Sequence, residues 1–90
     1  MKTRYFINKM DGKLPVHLGF NNLIELFNEK AYSILGSEYY SVLGMLPDFY
    51  SDWKGMAGCE ATVELKRRLS PEEIESFSDE GVSLREFRYF

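Results

Sequence analysis

Residues 59–90, CEATVELKRRLSPEEIESFSDEGVSLREFRYF, decide the architecture of this chain. Cys59, Ala61, Val63 and Leu65 alternate with Glu60, Thr62, Glu64 and Lys66, the pattern of a strand with one buried face. Ser70-Pro71-Glu72-Glu73 then reads as a helix start. The serine hydroxyl can accept from the amide three residues on, the Glu73 carboxylate can accept from the amide of Ser70, and proline fits the first helical position. Glu72 and Glu73 also face the positive end of the helix dipole. Ile74 and Phe77 mark the inner side of this helix, Gly81 ends it, and 82–90 is the closing strand. The apolar phase of that strand slips, with Val82 and Leu84 on one parity and Phe87 and Tyr89 on the other. A bulge near Arg85-Glu86 would reconcile them. The connection from Arg67 to Gly81 is long enough to bring the second strand back parallel to the first by a right-handed crossover.

At the other end, Asp11-Gly12 predicts a two-residue hairpin loop, since both residues tolerate positive φ. With that loop Lys9 faces Leu14, Ile7 faces Val16, and Tyr5, Ile7, Leu14, Val16, Leu18 and Phe20 share one face. Pro15 cannot donate to a ladder and places the second strand at an edge. Asn21-Asn22 offers an N-cap to a helix whose Leu23, Leu26, Phe27, Ala31, Ile34 and Leu35 recur at helical spacing, with Gly36 as its stop. Ser37 predicts a second short helix through about Leu46, ended by Pro47, and 47–53 reads as one further helical turn. The expected order is ββα(α)βαβ: one α+β domain with a four-stranded mixed sheet and helices packed on one face.

The composition narrows the function classes. Ninety residues make one domain. A net charge of −3 with both signs dispersed argues against nucleic acid as a partner. No apolar run spans a bilayer, the first residues lack a signal-like apolar stretch, and one cysteine admits no internal disulfide, so a cytoplasmic setting is expected. No cofactor or metal is expected. The glycines form no phosphate-binding fingerprint, and one histidine with one cysteine falls short of a metal set. His17 has no carboxylate or nucleophile near it in sequence, and Cys59 shares the parity of the core residues. An enzyme or enzyme subunit using His17 or Cys59 is a less favoured class.

Two features point to recognition. Tyr39-Tyr40 and 46–53 put five aromatic rings within fifteen residues, beside carboxylates. Adjacent rings on a helix diverge by about 100°, so one of each neighbouring pair faces out. Tyr40, Asp48, Tyr50, Asp52 and Trp53 are the expected contact residues, because Tyr and Trp are enriched where proteins dock. The outer face of the first hairpin, with Arg4, Phe6, Met10 and His17, is a second candidate for a partner or a homodimer. The expected function is a small non-catalytic protein-interaction module, an inhibitor or a regulatory subunit. The alternative is a small-ligand or peptide-binding domain with an aromatic-lined pocket between the sheet and the middle helices.

The tail, from Thr62-Val63-Glu64-Leu65 through Ser70-Pro71-Glu72-Glu73 to Gly81-Val82-Ser83-Leu84, resembles the strand, helix and strand of small ferredoxin-like inhibitory modules such as the propeptide inhibitors of subtilisin-type proteases. The resemblance covers about a third of the chain and implies a ferredoxin-like sandwich. No functional residue carries over.

Overall fold

In the computed structural model, which describes residues 2–43 and 48–87, the chain runs β1 (Thr3–Asp11), β2 (Leu14–Val16), α1 (Phe20–Leu35), a 3₁₀ turn (Gly36–Glu38), α2 (Tyr39–Val42), β3 (Asp48–Phe49), β4 (Ala61–Leu65), α3 (Pro71–Asp79) and β5 (Val82–Glu86). This is a small α+β fold, a five-stranded sheet with α1 and α3 packed on one face. The short β3 is the strand added to the expected order.

β1 is the centre. Tyr5–Ile7 pair with β4 on one side and with β5 on the other. Lys9 pairs with both Val16 and Val82, so β2 follows β4 along the same side of β1. β3 lies outside β4. All these ladders are antiparallel, where a mixed sheet was expected. β4 and β5 do run in the same direction, since each is antiparallel to β1. With β1 between them, no parallel pair forms among the described residues.

The period-2 pattern sets the core. Tyr5 and Ile7, Ala61, Val63 and Leu65, and Val82 and Leu84 turn to the helices. They meet Leu23, Phe27, Ala31 and Leu35, spaced by four along α1, and Phe77 of α3. The Phe27 and Phe77 rings stack with centroids 5.5 Å apart and bind the two helices together. Tyr5 is fully buried, and its hydroxyl accepts from the Leu69 amide at 2.8 Å. Burial pushes its phenol pKa up.

The capping box of α3 is complete. Ser70 Oγ accepts from the Glu73 amide at 3.1 Å, and Glu73 Oε1 accepts from the Ser70 amide at 2.8 Å. Arg67 grips the same carboxylate with two bonds of 2.8 and 2.9 Å. The Arg67 bond is the main reason the Glu73 carboxyl titrates at about 2, below its ordinary 4.5, while burial opposes the shift. A depressed carboxyl stabilises the fold above its unfolded pKa and loses that contribution as pH falls through its folded value. Urea unfolding followed by circular dichroism is expected to show Glu73→Gln less stable than wild type by about 1–2 kcal/mol at pH 7. The difference should close between pH 4.5 and about 2.

Several expectations need correction. Asp11 stays in the ladder opposite Leu14, and the loop residues are Gly12 and Lys13. Positive φ falls on Gly12 (63°) and not on Lys13, which suits a loop requiring glycine at its first central position. The register moves by two residues, so the faces keep their parity. β2 ends at Val16, and α1 begins at Phe20 with Gly19 as N-cap, in place of Asn21-Asn22. Among the described residues the second helix is Tyr39–Val42, and no side chain caps it. Leu43 is extended and bridges Leu65, and Asp48–Phe49 is a strand paired with β4, where a helical turn was expected. Gly44 to Pro47 and Arg88 to Phe90 lie outside the described residues. β5 stays in register with β1 through Glu86, and the Phe87 amide still donates to Arg4 O at 2.7 Å. No bulge is needed there, because Phe87 belongs to the opposite face of the sheet.

Candidate interaction face

Alternation sends Arg4, Phe6 and Asn8 of β1, Thr62 and Glu64 of β4, and Ser83 and Arg85 of β5 away from the helices. On this face Phe6 is a hub. Tyr50 meets its ring edge-on at 5.4 Å, Phe87 lies 4.7 Å away, and the Arg85 guanidinium sits 5.3 Å from its centroid. Arg4 bonds Thr62 Oγ1 at 3.1 Å and pairs with Asp48 at 3.3 Å and Glu64 at 3.9 Å. Asp48 is 64% exposed, so its pair adds little stability.

The segment 50–58 folds against the same face. The Tyr50 amide donates to Glu60 O at 2.8 Å. The Asn8 amide group donates to Gly58 O, while Oδ1 of this residue, only 5% exposed, has no hydrogen-bond partner among the described residues. Asp52 organises the loop between them. Its carboxylate accepts from the Ala57 amide at 2.9 Å, and its carbonyl accepts from Gly55 and Cys59. A Cβ at Gly55 would fall on the Asp52 carboxylate, so any other residue there would push that side chain off the Ala57 amide.

Glu60, only 2% exposed, is bonded at both carboxylate oxygens. Its Oε1 accepts from the Leu18 amide at 2.7 Å, and Oε2 accepts from the Gly19 amide at 3.0 Å and lies 3.2 Å from His17 Nδ1. Gly19 is the N-cap of α1, so the carboxylate sits at the positive end of a sixteen-residue helix. This bonding explains why β2 stops at Val16: the chain turns to present two amides to Glu60. His17 is 63% exposed, and its ring lies 5.3 Å from Trp53, over which Lys54 Nζ sits at 5.9 Å.

With Nδ1 committed to Glu60, His17 keeps Nε2 for an outside partner. The nucleophile that such a dyad would serve is missing at Cys59. That thiol is fully buried, and desolvation raises its pKa to about 11, so it stays protonated. Among the described residues, no group of three or more His, Cys, Asp and Glu could hold a metal ion. No helix among them is long and apolar enough to cross a membrane.

Of the seven sequence-predicted contact residues, the structure brings six to this face: Phe6, His17, Asp48, Tyr50, Asp52 and Trp53. Tyr40 is apart, on α2, where it is 77% exposed and packs edge-on against Tyr39. Glu60 was missed, because a glutamate alternating with core residues reads as solvent-facing. Its signal was indirect. A helix start without a capping side chain leaves amides that need an acceptor from elsewhere, and Asn21-Asn22 hid that need.

Among the described residues, a groove of about 450 Å³ opens beside α3, lined by Tyr5, Arg68, Leu69, Pro71, Ile74 and Glu86 among others. Comparison with protein-family models, with curated proteins and with solved structures yields no match.

Proposed function

We propose that the chain is a small protein-binding module, acting as an inhibitor or regulatory subunit, and that its contact surface is the helix-free face of the sheet. One observation carries this reading: Phe6, Tyr50 and Trp53 are each half-buried on that face and held by fixed neighbours. Rings already held in place lose little freedom on docking, so more of their contact area is realised as affinity. His17 and Asp48, both mostly exposed, supply hydrogen-bonding groups at the margins. A single cysteine kept in the core supports a reducing setting such as the cytoplasm. In this role Asp52 positions Trp53 by shaping its loop and makes no contact itself.

The test is Tyr50→Ala combined with Trp53→Ala. Neither ring belongs to the main core, so circular dichroism and the melting temperature should change little. Capture of a partner from host extract, followed by mass spectrometry, should be lost. A double mutant that unfolds, or one that captures the same partner as wild type, would rule this face out. The groove beside α3 favours a second reading, a binding domain for a small molecule or peptide. Thermal-shift screening separates the two, since a ligand of the folded state raises the melting temperature.

A further inference from the structure

The charges of this molecule are divided between its two layers. Residues 20–43 and 71–80, which form the helical layer, hold eight carboxylates and one cation, Lys30, a net of −7. The other described residues hold six carboxylates and nine cations, a net of +3. Lys30 is already engaged, 3.6 Å from both Glu29 and Glu80, and Arg67 from outside the layer pairs with Glu38 and Glu73. Glu25, Glu72, Glu75 and Asp79 are exposed and make no ion pair among the described residues. They are placed by helical spacing. Glu72, Glu75 and Asp79 follow one side of α3, and Glu25, Glu29 and Tyr32 one side of α1.

The stripe on α1 ends in aromatic rings that the core does not use. Tyr32 is 61% and Tyr40 77% exposed. Both pack edge-on against Tyr39, at 5.4 and 5.0 Å, which fixes the three rings as a group. The Tyr39 hydroxyl reaches Asn28 Oδ1 at 3.5 Å, tying the group back to α1. Carboxylates on a helix surface are often only a solubilising coat. Large exposed rings clustered at one end of them have no such use, since they add apolar area to water.

We propose that the outer surface of the helical layer is a second docking surface, independent of the sheet face, and that its occupant is an arginine- and lysine-rich surface or segment of another protein. Charge complementarity selects this occupant. The exposed carboxylates of Glu25, Glu72, Glu75 and Asp79, in a layer where anions outnumber cations, attract cationic partners and repel nucleic acid and anionic lipid. The tyrosines select arginine in particular, because a guanidinium stacks on an aromatic face while its N–H groups reach a carboxylate. One partner chain would then meet carboxylates along α1 and α3 and rings at Tyr32 and Tyr40.

The experiment uses the full chain and fluorescein-labelled nona-arginine as the probe, with fluorescence anisotropy at 50 and 150 mM NaCl. Wild type is expected to bind, more weakly at the higher salt. Glu25→Gln with Glu29→Gln and Glu75→Gln should weaken binding at least tenfold. Tyr32→Ala with Tyr40→Ala, which leaves the charge unchanged, should weaken it several-fold with an unaltered circular dichroism spectrum. Asp48→Asn with Glu64→Gln, on the opposite face, should stay within twofold of wild type. Tyr50→Ala with Trp53→Ala should also keep full affinity, so loss of either surface is read separately. The proposal is overturned if the probe does not bind, if the opposite-face variant matches the helical one, or if the tyrosine pair has no effect. Either of the last two results would mean a diffuse field and no docking surface.

Discussion

Glu60→Ala is expected to lower the unfolding free energy by about 3–4 kcal/mol, taking about 1–3 kcal/mol for each buried group left without its partner. The mutation strands the amides of Leu18 and Gly19 and removes the anion at the start of α1. Single domains are stable by only about 5–15 kcal/mol, so the loss is a large fraction of the whole. Glu60→Gln keeps one acceptor oxygen and should retain part of the difference. Thermal unfolding of the three proteins checks the ranking, with the alanine variant melting roughly 15–25 °C below wild type. A drop of only a few degrees for Glu60→Ala would show that water replaces the carboxylate at little cost. The His17 contact adds less, because that ring is 63% exposed.

Phe77→Ala should cost as much or more, about 3–5 kcal/mol, the range for emptying the space of a buried phenylalanine. Phe77 is fully buried, supplies the fully buried ring of the nine-residue α3, and stacks on Phe27 of α1. Phe27→Ala should be comparably destabilising. In the double mutant the two losses should fall short of their sum by about 0.5–1.5 kcal/mol, the part due to the ring pair itself. Urea unfolding at one pH gives all three values. Strict additivity would mean that each ring packs on the sheet and that the helices are joined by other contacts.

Local signals were legible where one physical effect dominates. The capping box of α3 needed only neighbours in sequence, and the structure has both of its bonds. The four-residue spacing on α1 and the alternation on β4 likewise identified the core. Errors arose where a distant group decides. β2 was expected to run on to Phe20, because nothing nearby announces that Glu60 will take the amides of Leu18 and Gly19. The parity slip in the closing strand suggested a bulge to bring its apolar residues to one face, but Phe87 stays on the other parity and packs on Phe6 there. Asp48–Phe49 became a strand through pairing with Thr62 and Ala61, an interaction that local propensity does not encode. The candidate face was partly legible for the same reason. Aromatic residues could be picked out one by one, but only the sheet register brings Phe6 and Tyr50 together and leaves Tyr40 on the other layer.

The place of β1 between β4 and β5 also bears on how this chain reaches its fold. Its partners on the two sides are residues 61–65 and 82–86, so the middle of the sheet closes over loops of roughly 55 to 80 residues. Proteins dominated by such distant pairings fold slowly, in the millisecond to second range. Synthesis delivers β1 first, and it emerges at roughly 5–20 residues per second, so β1 waits for several seconds before β5 exists. Through that interval its apolar Tyr5 and Ile7 and its backbone edge are open to other chains. Aggregation during synthesis, more than instability of the finished fold, is the hazard this strand order creates.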